Sequence, residues 1–560
     1  MAIQGGESGG NGDPVCRVQR VVSHSISLSP AEREGQYAQN PGELAVGNLV
    51  ELKTEFDRVK KSFITLPDQL PKMNPCGVYA NHNVRLAKIN VYGFDYDYTL
   101  AHYTPALQCI IYDLARNHLV EEHRYPDSCL NFQYDASFPI RGLYYDKKMG
   151  YLLKLDLFNS VQPGGCFFGR RRLDEDELES CYPGKHVSAE HIRNLVPLMD
   201  LFCLSERPVL AMRWDVYTIG LNVKPAMRRT QVCLLADVIQ HFVNQKLRFD
   251  CTYVYEDVQK CIKYIHTSGN LHREILSNPA KYLQKNPKLI EMLHTLKERG
   301  KKMFILTNSP FPFVDSGMKF LFQETGQAQN WRDLFEVVIA LSDKPNFYHS
   351  QRPFRAYHHK KDVLLFTKVE SFEPHGVYYH GCLKDFAEIT KWKGSEVLYF
   401  GDHLFSDLRG PAQAGWHTAA VIRELEREIS TQNETEYRFQ QARYNKLKEV
   451  LGKFHGRSAA ITKEENNILG ELRELRSKSR QAMKEMFNTN FGSTFLTDTG
   501  KESAFAYNVQ RYADIYTSRL ENFLFISSDA WLFSPLNVKI LPHHIKVFPA
   551  EKEGGQLTIQ

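Results

Sequence analysis

The sequence predicts an α/β fold built on a doubly wound parallel sheet, with a large α+β module inserted after the first strand and helices at the C-terminal end. Three observations carry this. Continuous apolar and β-branched runs alternate with segments of helical spacing, the pattern of strands covered on both faces by helices. Several of those runs end directly in a cluster of polar residues, and in open parallel sheets ligands sit beyond the carboxyl ends of strands. Between residues 105 and 274 the texture changes to mixed aromatic and charged segments, broken by turn signals such as Pro163-Gly164-Gly165 and Pro183-Gly184.

Taken in order, residues 1–45 hold Gly, Ser, Pro and mixed charge with little periodicity, and disorder is expected there. Residues 46–104 and 275–430 read as the core, with 105–274 as the inserted cap. The stretch Lys88 to Phe94 reads as a short buried strand leading into Asp95-Tyr96-Asp97-Tyr98-Thr99. From Asn278 to Arg299 the spacing predicts a helix, with Leu283, Leu289, Ile290, Leu293 and Leu296 on one face. Apolar runs at 302–306, 335–340 and 396–400 follow as strands, and 418–422 closes the pattern. Residues 431–545 read as a helical region packed on core and cap. Within it, Leu447, Val450, Leu451, Leu469, Leu472 and Leu475 recur at helical intervals in a charged background, as in a pair of long amphipathic helices. Residues 546–560 read as a tail.

Composition narrows the function classes. A chain of 560 residues exceeds one ordinary core and points to about two or three domains. With 70 basic against 65 acidic residues the net charge is only +5, which argues against a dedicated nucleic-acid surface. The run Gly169-Arg170-Arg171-Arg172 is followed by acids at 174–177 and reads as a solvated stretch. Eleven cysteines include no Cys-x-x-Cys pair, so neither a disulfide framework nor structural zinc is expected. A reduced, cytoplasmic location is the reading. No apolar run approaches the roughly 20 residues that span a bilayer. The first 15 residues show no apolar secretory core and carry Glu7 and Asp13, which also argues against an organellar leader.

Four distant segments supply the parts of one phosphate-transfer site: Asp95 with Asp97, Thr307-Asn308-Ser309, Lys344, and Asp402 with Asp407. Alone, each has an ordinary reading as a turn, a helix cap or an exposed loop. Each follows a strand of the same sheet pattern, and in that order they become chemistry. One of the paired carboxylates attacks phosphorus and the other protonates the leaving oxygen. A doubly anionic phosphate repels a carboxylate unless a cation intervenes, and Mg²⁺ suits oxygen ligands. Asp402 is the natural third carboxylate, with Asp407 behind it supporting the shell. Thr307 offers a hydroxyl, Asn308 and Ser309 face the substrate, and Lys344 neutralises charge growing in the transition state.

These segments, with Phe138-Pro139-Ile140-Arg141-Gly142-Leu143 and Arg511-Tyr512-Ala513-Asp514-Ile515-Tyr516, resemble the haloacid dehalogenase superfamily. Within it the chain is similar to the cytosolic purine 5'-nucleotidase and 5'-nucleotidase domain-containing family, over about residues 75–545. The resemblance implies a Rossmann-like core closed by a cap and a Mg²⁺-dependent 5'-nucleotidase-type phosphomonoester hydrolase. It makes Asp95 the nucleophile and Asp97 the proton donor. The metal is held by Asp95, the Asp97 main-chain carbonyl and Asp402, and Thr307, Asn308, Ser309 and Lys344 surround the phosphate. A nucleoside monophosphate or other small phosphate ester is the implied substrate, and a homo-oligomer the implied assembly. Two departures stand out. The family's base-reading cap helix, Arg-x-x-x-Asp-x-x-His-Tyr-x-x-x-x-Lys, corresponds here to Gln259, Lys263, His266, Thr267 and His272. Only His266 survives as a candidate nucleotide contact. Residues 207–231 form an unmatched insert without clear period. The alternative reading is a nucleotidase-like binding or scaffold protein with weak or no turnover.

Overall fold

The structure, a computed structural model, describes residues 49–61, 72–192, 194–198, 226–325, 331–455 and 462–534. The whole of the expected disordered segment 1–45 and the tail 546–560 fall outside these residues, as does 207–225 of the insert.

At the centre is a sheet of ten strands. Seven run parallel, in the spatial order Ile515–Thr517, His417–Val421, Val397–Gly401, Val91–Phe94, Lys302–Leu306, Val337–Ala340 and Gly376–His380. Antiparallel strands finish both edges: Val78–Ala80 on one side, Phe354–His358 and Val363–Lys368 on the other. From Val91–Phe94 the chain steps outward through 302–306, 337–340 and 376–380, then returns to 397–401 on the opposite side. The order therefore reverses beside Val91–Phe94, which in a doubly wound sheet opens a crevice at the carboxyl ends. Val91, Tyr92, Phe94, Met303 to Leu306, Val337 to Ala340 and Val397 to Phe400 are all buried, as strands covered on both faces require.

Between the first and second of these core strands the chain builds a five-stranded antiparallel sheet, with strands Arg171–Arg172, Val161–Phe168, Tyr151–Leu155, Leu143–Asp146 and Leu195–Leu198 in that order. Three helices, Ala106–Glu121, Ala226–Asn244 and Cys251–Thr267, pack on one another beside it. The fold is thus a parallel α/β core carrying an α+β insertion.

Several boundaries differ from the sequence reading. The strand before Asp95 is Val91–Phe94, because Leu86–Lys88 forms a 3₁₀ turn. The helix expected from Asn278 starts only at Pro287, where Asn286 caps it by accepting from Leu289 N–H at 3.2 Å. Proline favours that first position and blocks propagation from upstream. Leu283 pairs instead with Tyr103 in a small two-stranded ladder. The insert is helical from Ala226 onward, and Arg170 is no solvated cation. It donates to Asp237 at 2.8 Å and to Asp135 at 3.1 Å and lies over the Phe138 ring at 4.1 Å. The long C-terminal helices are Thr435–His455 and Lys463–Phe487. Leu447, Val450, Leu451, Leu469 and Leu472 bury against Leu52, Phe56 and Val59 of helix Leu49–Lys60, so that N-terminal helix joins this bundle rather than the core.

Asp514 locks the outer parallel strand. Its carboxylate meets His82 Nδ1 at 3.0 Å and His417 Nδ1 at 3.2 Å and accepts from Thr418 N–H at 3.1 Å. Burial opposes its ionisation, but His417 and the Thr418 amide outweigh burial and hold it below the usual carboxylate range. A carboxyl depressed in the folded state contributes stability above its ordinary value and loses it as pH falls through the depressed one. Asp514→Asn is therefore expected to cost about 1–3 kcal/mol at neutral pH, with the gap to wild type closing on acidification. Urea denaturation at neutral and acid pH measures both.

Candidate active site

All four segments lie past the carboxyl ends of adjacent parallel strands. Asp95 follows Val91–Phe94, Thr307 follows Lys302–Leu306, Lys344 lies in the loop after Val337–Ala340, and Asp402 follows Val397–Gly401. Asp95, Asp402, Asp407 and Lys344 are 4%, 3%, 1% and 2% exposed. Close packing makes this possible. A methyl group on Gly93 would run into the rings of Phe304 and Tyr399, and one on Gly401 into Asp407 itself.

Lys344 is the hub. Its Nζ lies 2.9 Å from Asp95 Oδ1 and 2.6 Å from Asp407 Oδ1 and donates to the Tyr399 hydroxyl at 2.8 Å. Tyr399 in turn donates to Leu306 O at 2.8 Å. Burial works against the ammonium, yet Asp407 and Asp95 more than compensate, and its pKa rises. Burial pushes the Asp95 carboxyl up to about 7. Lys344 opposes that shift, and Asp407 and Asp97 add to it.

Asp407 reaches the cluster through a π-helical turn, Leu404–Arg409. His403 caps that turn, Nδ1 accepting from Phe405 N–H at 3.2 Å and Ser406 N–H at 3.0 Å. Oxygen atoms of Asp95, Asp402 and Asp407 all lie within 4.8 Å of one another. Three carboxylates gather beside one ammonium. That excess of buried negative charge and its all-oxygen donor set fit a divalent cation.

Against the sequence reading, Asp407 stands in the carboxylate cluster rather than behind it. The Asp97 side chain is turned elsewhere: Tyr103 donates to its Oδ1 at 2.6 Å and Ser309 Oγ to its Oδ2. Thr307 Oγ1 accepts from Ser309 N–H at 3.1 Å, which leaves its own proton to donate. Asn308 faces the Lys344 loop. Its Oδ1 accepts from Lys344 N–H at 2.7 Å and Ser342 Oγ at 3.0 Å, and its Nδ2 donates to Lys344 O at 3.0 Å. These bonds position the lysine loop.

Other residues had no role from sequence. Arg141 donates to the Asp402 carbonyl and stands 3.8 Å from Glu424, which also pairs with Arg229. Burial opposes ionisation of Glu424, but the two arginines hold its carboxyl below the usual range. Arg141 lay in a recognised motif. Arg229 and Glu424 gave no signal, because only the fold brings them together.

The sequence model of the 5' nucleotidase family matches residues 78–546. The chain belongs to this family. A 5'-nucleotidase domain-containing protein of Dictyostelium discoideum is 39% identical over 485 residues, covering 85% of this chain and 76% of that protein. The 5'-nucleotidase domain-containing protein 2 of Rattus norvegicus is 34% identical, covering 83% of this chain and 79% of its own length. Its Homo sapiens counterpart is 34% identical, with 81% and 82% covered. For this member of the 5'-nucleotidase family, membership supports phosphatase activity and suggests a divalent metal, for which the acidic cluster provides the donors. Among the described residues, no helix is long and apolar enough to cross a membrane.

Of the positions aligned with the family's base-reading helix, Gln259, Lys263, His266 and Thr267 lie on helix Cys251–Thr267 and His272 on helix Asn270–Ser277. Lys263 and Thr267 are exposed, whereas Gln259, His266 and His272 are half-buried. The His266 ring lies 5.5 Å from that of His272, which lies 4.6 Å from Phe313, itself 5.9 Å from Tyr96. A series of rings thus joins His266 to the residue after Asp95.

Proposed function

We propose that the chain is a Mg²⁺-dependent phosphomonoesterase acting on a nucleoside 5'-monophosphate or similar small phosphate ester through a phosphoryl group carried on Asp95. The observation that carries this reading is the buried convergence of Asp95, Asp402, Asp407 and Lys344 at the sheet's switch point. Asp95, Asp402 and Asp407 would hold the Mg²⁺, which would supply the positive charge that lets an anionic nucleophile approach a dianionic phosphate. An Asp95 oxygen forms the bond to phosphorus as the ester P–O bond breaks, and Asp97 gives its proton to the leaving oxygen. Asp97 then takes a proton from the water that attacks the phosphoryl-aspartate, which frees phosphate and restores Asp95. Tyr103 and Ser309 hold Asp97 in orientation. Thr307 and Lys344 donate to the non-bridging oxygens.

His266 is assigned to the nucleotide side of the site. A cytoplasmic location accords with the described cysteines, all of which are free thiols. A homo-oligomer accords with the outermost strand Val363–Lys368, where Phe366 is 95% exposed. The second reading, a binding protein with little turnover, is favoured by the rewritten cap helix. A panel of nucleoside monophosphates and simple phosphate esters, assayed with Mg²⁺ and with chelator, separates the two. Metal-dependent phosphate release from any member is the expected result. Silence across the panel supports the binding protein.

A further inference from the structure

The cap holds a second group of metal-binding side chains, far in sequence from the acidic cluster and of different chemistry. Helix Ala106–Glu121 ends beside His118, and His123 stands just past its C-terminus, a His-x₄-His spacing within the range common at zinc sites. Helix Cys251–Thr267 faces them with Asp257, Cys261 and Tyr264, which share one face at i, i+4 and i+7. One donor atom each from His118, His123 and Cys261 lies within 4.8 Å of the others.

We propose that His118, His123 and Cys261 form a zinc-class metal site that clamps these two cap helices together.

The surroundings are those of a ligand set held in place. The Tyr264 ring lies flat on His118, with centroids 4.1 Å apart and planes 4° apart, and fixes that imidazole's orientation. Asp257 stands 3.5 Å from His123 Nδ1, while Tyr125 donates to its other oxygen at 3.2 Å and Lys260 lies 3.1 Å away. A carboxylate behind a ligating histidine is the usual second partner at such sites. Cys261 is buried and the histidines half-buried, so a cation would be shielded on the thiol side and reachable from the imidazole side.

Burial favours the imidazole donor and works against the thiolate. Burial, with His123 next, holds His118 below its ordinary value, which keeps a lone pair for a metal at neutral pH. Burial also pushes the Cys261 thiol up to about 12, so metal uptake must release its proton, as thiolate ligation does. Two nitrogens and a sulfur do not suit Mg²⁺, which takes oxygen ligands. They suit Zn²⁺, whose fourth position a water would fill. The clamped helix is the one that carries His266, so occupancy here would stiffen the candidate nucleotide-reading face without touching the phosphate site.

The test uses the full chain, stripped with chelator and titrated with Co²⁺ as a spectroscopic stand-in for Zn²⁺. The expected result is a thiolate-to-cobalt charge-transfer band with intense tetrahedral d–d bands, both bleached by added Zn²⁺. Cobalt at the all-oxygen acidic cluster gives no charge-transfer band, so Asp402→Asn retains the signal. Cys261→Ala and, independently, the more exposed His123→Asn lose it, and circular dichroism checks that each is folded. Asp257→Asn is expected to weaken Co²⁺ binding about 10–100-fold. Should Cys261→Ala not fold, His123→Asn decides. A wild-type chain without the charge-transfer band, or a band unchanged in the folded variants, overturns the proposal.

Discussion

Asp95→Asn is expected to lower phosphate release at least about a thousandfold, because a carboxamide cannot form the phosphoryl-enzyme, while the fold stays intact. The substitution is nearly isosteric, and Lys344 keeps Asp407 and the Tyr399 hydroxyl as partners. Stability should move in the opposite direction from activity. The Asp95 carboxyl is raised to about 7, first by burial and then by Asp407 and Asp97 against the pull of Lys344. A carboxyl raised in the folded state binds its proton more tightly there than in the unfolded chain. Its ionised form therefore costs stability above about 7, and that cost is relieved as pH falls toward the ordinary carboxylate value. In metal-free protein the variant should match or exceed the wild-type melting temperature in mild alkali, with the advantage shrinking in acid. Turnover within a few-fold of wild type would refute the role of Asp95.

The second large effect is at Lys344. Lys344→Met strips the shared cation from Asp95 and Asp407, both buried. Breaking a buried ion pair by removing one partner costs about 3–5 kcal/mol, and the loss should appear in urea denaturation of the metal-free chain. Phosphate release should fall at least about a hundredfold, since charge building on the non-bridging oxygens loses its donor. Added Mg²⁺ should recover part of the stability but not the rate, because a cation among the carboxylates replaces the neutralisation and not the position of the ammonium. Equal denaturation midpoints for variant and wild type, both without metal, would contradict the hub geometry.

Much of this is legible in the sequence alone. Central strands such as Lys302–Leu306 and Val397–Gly401 are buried on both faces, so their sequences are apolar throughout and announce themselves. The polar residues that follow them had to sit at strand ends, and the parallel pattern placed those ends together. The illegible parts are those set by distant partners. Ile515–Thr517 is only three residues long and joins the sheet because Asp514 is gripped by His82 and His417, which no local period reveals. Asp407 and Asp97 could not be ranked from spacing, since their directions depend on the π-helical turn capped by His403 and on hydroxyls from Tyr103 and Ser309. Arg229 lay in a segment without period, yet its helix carries it to Glu424. The grouping of His118 and His123, at the end of one helix, with Cys261 on another more than a hundred residues away is likewise set by the fold alone.

The central claim is that Asp95 takes the phosphoryl group. Acid-quenched protein, caught during turnover of the best ester in the panel with Mg²⁺ present, can be digested and mapped by mass spectrometry. Phosphate on the Asp95 peptide, absent with chelator and absent in Asp95→Asn, is the predicted result. Phosphoryl label on another residue, or none while the wild-type chain turns over and Asp95→Asn still releases phosphate, would contradict it.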